Sequence, residues 1–123
     1  MGANISGAGR LEDHRFLTGE GRFTADLRRD GEAYGFVLRS PYAHAEILSI
    51  SVDEAAIMPG VLAVITAADL TAAGLGDLQN TSQIPSDPPT VHPPRPVLAR
   101  GKVRHVGEAV AFVVAGSQAA AQD

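Results

Sequence analysis

Tyr34 opens the clearest alternation of hydrophobic and polar positions in the chain. Large apolar side chains stand at every second position from there to Leu38, a period of two that predicts a strand with one buried face. Pro41 interrupts the pattern, because proline has no N–H group to donate and favours an extended residue before it. A second β-rich run follows at residues 47–52. We therefore predict two strands joined by a kinked corner at residues 39–45.

Two longer apolar runs predict further strands. Residues 61–65 and 109–115 are continuously apolar and have the length of strands that are buried on both faces. Shorter strands are expected at residues 97–98 and 103–106, and the second of these ends in a turn at Gly107. Strands that alternate with short helical segments predict a small α/β (α+β) domain with a mixed sheet.

Short helices are predicted where a capping residue precedes good helix formers. Thr66 and Asp69 have the spacing of a capping box, although Glu or Gln is the usual partner residue. Pro59 and Gly60 are expected to end the helix that precedes them. The three expected helices are residues 53–58 with Asp53 as N-cap, residues 67–70 after Thr66, and residues 118–123 after Ser117.

Residues 71–96 form a proline-rich segment without periodicity. Six prolines fall within a dozen positions, which excludes a long helix and a central strand: Pro85, Pro88, Pro89, Pro93, Pro94 and Pro96. We predict a variable loop that either faces a partner or is mobile. A free-standing module that binds a protein through polyproline geometry in this loop is therefore the alternative function for the chain.

The first residues carry no periodic pattern either. Residues 1–10 are rich in Gly, Ala and Ser and predict a flexible arm, and no strand precedes their glycines as a phosphate loop requires. Gly19 and Gly21 predict a tight turn with positive φ. Phe16, Leu17 and Phe23 are expected to pack this turn against the domain.

Composition narrows the class of protein. The 123 residues fit a single domain, and a net charge of −4 argues against a general binder of nucleic acid. The chain has no cysteine, which excludes disulfides, a thiol nucleophile and cysteine-held zinc or iron–sulfur clusters within it. No apolar run approaches the roughly 20 residues of a membrane span. We expect a cytoplasmic protein that does not span a membrane.

The polar residues do not assemble a recognisable catalytic or metal motif. The four histidines lack the spacings of metal-binding pairs: His14, His44, His92 and His105. His44 is expected to hydrogen-bond a neighbouring strand or loop. Ser40, His44 and Glu46 lie along one stretch, and Ser40 lacks the glycines of a nucleophile elbow. We therefore assign no catalytic, cofactor-binding or metal-binding residue.

Arg39 and Glu108 each allow a structural and a functional interpretation. At the end of a strand, Arg39 can hold a carboxylate or phosphate bidentately, but a structural ion pair is the more common role of such an arginine. Glu108 follows Gly107 and is expected to be a turn carboxylate.

Several motifs, in order and spanning nearly the whole chain, resemble the start of the large subunit of molybdenum hydroxylases. This family contains xanthine dehydrogenase, aldehyde oxidase and carbon monoxide dehydrogenase. The segments that carry the resemblance are RLED at 10–13, RFLTGEG at 15–21, LRSPYAHA at 38–45, PGV at 59–61, AV at 63–64, TAADL at 66–70, LA at 98–99 and KVRHVGEAVA at 102–111. Two positions depart from the family pattern: Tyr42 stands where His is frequent, and Ala109 where Pro is common.

The resemblance implies an α/β hammerhead domain from the N-terminal part of a longer subunit. The short final helix agrees with a chain cut from a longer one. The implied parent hydroxylates an aldehyde, an N-heterocycle or a similar small molecule, with water supplying the oxygen. It carries molybdenum–molybdopterin, and iron–sulfur clusters and FAD lie on partner subunits or domains.

The resemblance places the catalytic and cofactor-holding segments of the family beyond the end of this chain. The domain itself is thus expected to be a scaffold that contacts the remainder of the large subunit and its partners. The hypothesised contact residues are Arg39, Ser40, Pro41, Tyr42 and His44 at the corner, with Arg15, Gly19 and Gly21 at the earlier turn.

Overall fold

The structure, a computed structural model, describes residues 13–79, 87–89 and 91–123. The chain divides into two units, Met1–Glu32 and Ala33–Asp123. In the first unit, helix α1 spans Asp13–Leu17 and a 3-10 helix spans Thr24–Asp26. The arm predicted at residues 1–10 lies outside the described residues, as do residues 80–86 and 90 of the proline-rich segment.

The second unit contains the strands and the remaining helices. Its strands are β1 (Tyr34–Arg39), β2 (Ala45–Glu46), β3 (Val61–Thr66), β4 (Lys102–Val103) and β5 (Ala109–Ala115). Its helices are α2 (Asp53–Ala56), α3 (Ala67–Ala72) and α4 (Gln118–Gln122). The predicted class, a small α/β domain with short helices, is confirmed, but the prediction of a mixed sheet is wrong, because all strand pairs of the described chain are antiparallel.

Strand β5 is the centre of a three-stranded sheet with the order β1-β5-β3. Both neighbours run antiparallel to it, and Val113 lies opposite Phe36 on one side and Val64 on the other. The prediction for the second apolar run is therefore confirmed. The prediction that β3 is buried on both faces is wrong, because β3 lies at an edge and Leu62 is 65% exposed.

A second sheet consists of β2 and β4 alone, with Ala45 opposite Val103. The strand predicted at residues 47–52 is absent, because only the Ile47 N–H continues the pairing, to the Gly101 carbonyl at 2.9 Å. Leu48 is 91% exposed. Apolar and polar residues do alternate at positions 48–52, but the two-residue strand β4 is too short to pair with them.

Two further strand predictions need correction. The strand expected at residues 103–106 is found as the shorter β4, which begins one residue earlier and ends at Val103. The chain already turns at Val106 and Gly107, and Gly107 has a φ of +85°. Residues 97–98 form a bend and no strand, although Leu98 is buried. Its apolar character reflects its place in the core rather than a pairing in a sheet.

The helix starts follow local chemistry in two of three cases. The Asp69 carboxylate accepts hydrogen bonds of 2.7 Å from both the main-chain N–H and the hydroxyl of Thr66, which confirms the capping box. Ser117 Oγ accepts from the Ala120 N–H at 3.2 Å and caps α4 as predicted. The N-cap prediction for Asp53 is wrong: Val52 takes that position, without a side-chain cap, and α2 ends at Ala56.

The core of the described chain is built mainly from small side chains. Its buried apolar residues are Leu98, Ala99, Val103, Ala111, Ala115 and Ala121. No large side chain among the described residues is completely buried, whereas sixteen large apolar side chains are exposed. The fold thus leaves much of its apolar surface uncovered. None of the described helices has the length and apolar character needed to cross a bilayer.

Candidate interface

The corner after β1 is tied to the turn before β5 by main-chain hydrogen bonds. The Ser40 N–H donates to the Glu108 carbonyl at 2.9 Å, and the Gly107 N–H donates to the Ser40 carbonyl at 2.8 Å. The register with β5 shifts between Leu38 and Arg39, so the regular ladder ends here. These bonds fix where the corner leaves the sheet.

The Ser40 side chain hydrogen-bonds the backbone of the corner itself. Ser40 is buried, with 7% of its surface exposed, and its Oγ accepts from the Tyr42 N–H at 3.0 Å. Such a local turn is a common use of serine. The hydroxyl is thus used to hold the chain direction after the strand, and no histidine contacts it as a base.

Arg39 reaches across the same turn. Its guanidinium Nη1 donates to the Gly107 carbonyl at 2.8 Å. The structural ion pair considered for this arginine is not found, since no carboxylate among the described residues forms a salt bridge with it. The arginine is therefore held by one main-chain contact and retains further N–H donors.

The tip of the corner projects into solvent. Pro41, Tyr42 and His44 are all exposed, Tyr42 by 65%. The His44 side chain makes no hydrogen bond to another described residue, so the prediction that it bonds a neighbouring strand or loop is wrong.

Glu108 closes the turn that supports the corner. Its carboxylate accepts a hydrogen bond from the Arg104 N–H, and its Oε2 lies 3.7 Å from His105 Nδ1. The side chain is only 14% exposed. The prediction of a turn carboxylate is confirmed.

The earlier turn, in the first unit, is organised by aromatic rings. Phe16 and Phe23 stack with ring centroids 5.5 Å apart, so they pack on each other. The Arg15 guanidinium lies 5.6 Å from the centroid of the Phe16 ring. Gly19 has φ of +75° as predicted, but Gly21 does not share it; a Cβ at Gly21 would overlap the Phe16 ring.

A separate cavity in the second unit has a volume of 780 Å³. It is an open, mainly apolar groove between residues 47–52, the start of α3 and residues 99–101. Sequence reasoning missed it, because it placed a paired strand at residues 47–52. The apolar alternation in that run, with no partner strand long enough to match it, is the signal that could have revealed a groove.

No described residues gather into a metal site: no group of three or more His, Asp or Glu side chains is close enough to hold a metal ion.

Comparison with known proteins gives a consistent family. Residues 18–123 match the profile described as aldehyde oxidase and xanthine dehydrogenase, a/b hammerhead domain. The chain is 43% identical over 116 residues to the nicotine 6-hydroxylase large subunit of Paenarthrobacter nicotinovorans, covering 93% of this chain and 14% of that protein. It is 39% identical over 114 residues to the carbon monoxide dehydrogenase large chain of Afipia carboxidovorans, covering 93% of this chain and 13% of that protein.

Solved structures agree in fold. The crystal structure of the Cu,Mo-CO dehydrogenase in its carbon monoxide reduced state aligns with a TM-score of 0.75 and 39% identity, over 94% of this chain and 13% of that one. Quinoline 2-oxidoreductase from Pseudomonas putida 86 aligns with a TM-score of 0.75 and 42% identity, over 93% of this chain and 14% of that one. The chain thus spans about one seventh of the length of the relatives that it matches.

Proposed function

Since the chain belongs to the aldehyde oxidase and xanthine dehydrogenase family, as its α/β hammerhead domain, we propose that it is a scaffold and interface domain. It contacts the remainder of a molybdenum hydroxylase large subunit. The parent subunit oxidatively hydroxylates a small molecule such as an aldehyde or an N-heterocycle, with water supplying the oxygen. The proposal keeps the cytoplasmic location expected from the sequence.

The observation that carries this proposal is the uncovered apolar surface. Exposed large side chains such as Tyr42, Ile57 and Leu62 outnumber the buried ones, and no large described side chain is completely buried. Large exposed apolar patches mark interaction sites in proteins. The relatives are about seven times longer than this chain, so their remaining residues are the natural cover for such a surface.

Molybdenum–molybdopterin is proposed for the parent and is assigned to residues outside this domain. Iron–sulfur clusters and FAD are proposed on partner subunits or domains. No step of the reaction is assigned to a side chain of the described residues. Their proposed contribution is to position and cover the rest of the subunit.

The corner formed by residues 39–45 is the proposed principal contact, together with Arg15, Gly19 and Gly21 in the first unit. In the full-length subunit, Arg39→Ala removes the hydrogen bond to the Gly107 carbonyl that holds this corner. One such hydrogen bond contributes about 1 kcal/mol net. If the corner loses this contribution, we expect roughly fivefold less assembled complex at limiting concentration. Size-exclusion chromatography with molybdenum analysis of each peak measures this fraction.

Arg29→Ala is the matched control, because Arg29 is an exposed arginine that belongs neither to the corner nor to its supporting turn. It should assemble like the unmodified subunit. Unchanged assembly of the Arg39→Ala subunit, or equal losses in both variants, would contradict the proposed role of the corner.

A further inference from the structure

A cleft with an excess of positive charge lies beside the corner, within the second unit. It has a volume of 350 Å³ and lies between the end of β1, residues 94–97 and the turn before β5. Its charged lining residues are Arg39, Arg95, Arg104, His105 and Glu108. With the histidine neutral, the lining carries two more positive than negative charges. This contrasts with the chain as a whole, whose net charge is −4.

Arg39 and Arg104 are held by side-chain hydrogen bonds to main-chain carbonyls, and Arg95 is held through its backbone. Arg39 donates to the Gly107 carbonyl at 2.8 Å, and Arg104 Nη1 lies 3.4 Å from the Lys102 carbonyl that accepts from it. The Arg95 carbonyl accepts from the Leu78 N–H at 2.9 Å, which fixes the backbone at that wall. Within the described part of the chain, no carboxylate forms a salt bridge with any of the three.

The carboxylate of Glu108, which also lines the cleft, already makes contacts within the turn. Glu108 accepts from the Arg104 N–H and lies beside His105, and its side chain is mostly buried. It therefore stabilises the turn and is poorly placed to neutralise the guanidinium groups. Each guanidinium has five N–H donors in a planar fork that suits a carboxylate.

We propose that this arginine cleft binds an acidic segment, bearing Asp or Glu side chains, from the remainder of the large subunit. The inference rests on the proposed function and specifies the partner chemistry of that interface. Charge complementarity favours this occupant, because clustered positive charges attract carboxylates and bidentate pairs fix their register. The net negative charge of the chain argues against a nucleic acid, which would meet repulsion outside the cleft.

Zero-length cross-linking tests the proposal directly. Arg104→Lys in the full-length subunit keeps the positive charge and introduces an amine that a carbodiimide joins to a carboxylate in contact with it. Mass spectrometry then identifies the partner residue. We expect a cross-link from position 104 to an Asp or Glu beyond residue 123, and its loss when 1 M NaCl screens the pair.

Arg29→Lys, at an exposed position outside the cleft, provides the matched control and should give no such cross-link. A cross-link from position 104 only to Glu108, or none at all, would overturn the proposal. In the unmodified subunit, phenylglyoxal should likewise react more slowly with Arg95 and Arg104 than with Arg29. Equal reaction rates at the three arginines would also contradict it.

The same subunit separates a failure of the cleft from a failure of the proposed function. Hydroxyl-radical labelling of Tyr42 and Leu62 reports whether the apolar surface is covered. If the apolar residues are protected but no cross-link to an acidic residue forms, the cleft proposal is wrong and the proposed interface function stands. Unprotected apolar residues would reject the proposed function itself.

Discussion

Phe112 on the central strand lies against Gly35 on β1, and this contact sets what residue 35 can be. A Cβ at that position would stand 2.5 Å from Phe112 Cζ, closer than real Cβ contacts allow. The backbone of Gly35 does not have positive φ, so a side chain at this position is opposed by the Phe112 ring and not by the backbone conformation. The aromatic ring thus fills the volume that a side chain on β1 would occupy.

Gly35→Ala is therefore expected to destabilise the chain by about 1–3 kcal/mol, because the ring or the strand must move. Urea unfolding followed by circular dichroism measures the change. Gly76→Ala is the matched control, since Gly76 lacks positive φ and a Cβ at that position would have no other atom within 4 Å. A Gly35→Ala midpoint equal to that of the control would show that the packing is less tight than described.

At the scale of single elements, two of the three helix caps were predictable from the sequence, and the partners of strands were not. The Thr66–Asp69 box and the Ser117 cap act within four residues, so the sequence specifies them locally. The two apolar runs that became β3 and β5 look alike in sequence. Long-range pairing alone makes one an edge strand and the other the centre, and local periodicity carries no information about that choice.

The capping box of α3 predicts a titration. Hydrogen bonds from the Thr66 hydroxyl and then its N–H hold the pKa of Asp69 below its ordinary value of 3.8. A lowered folded-state pKa means that the carboxylate's stabilising contribution is present above the ordinary value and is lost as pH falls through the folded-state pKa. Carbon-detected NMR should place the Asp69 midpoint below 3.8.

Thr66→Val removes the hydroxyl donor, the largest cause of this shift, and should raise the Asp69 midpoint towards the ordinary value. Thr71→Val is a suitable control, because its hydroxyl donates to the Ala67 carbonyl and not to the carboxylate. Equal midpoints in the unmodified chain and the Thr66→Val variant would show that the hydroxyl does not stabilise the charged form.

For the candidate interface, the sequence predicted the kinked corner but not its support or its exposure. Residues 39–45 were recognisable from the Pro41 interruption and from the family motif. The bonds that fix the corner come from Gly107 and Glu108, nearly seventy positions away, and the arginine cleft combines side chains from three separate segments. Only the folded chain brings these residues together.

At the scale of the whole molecule, the chain has a small-residue core and a large uncovered apolar surface. Such a surface is unfavourable in water unless another part of the protein covers it. The proposed cover is the remainder of the large subunit, because the chain belongs to the hammerhead family and spans about one seventh of the length of its relatives. The proposed role of this chain is therefore that of an interface domain.

Hydroxyl-radical footprinting of the full-length subunit, compared with that of residues 1–123 alone, tests this claim most directly. The exposed side chains of Tyr42, Ile57 and Leu62 should be strongly protected in the full-length subunit. Val103, buried within the domain itself, should react equally slowly in both and so control for the dose. Equal labelling of the three exposed residues in the two samples would contradict the account.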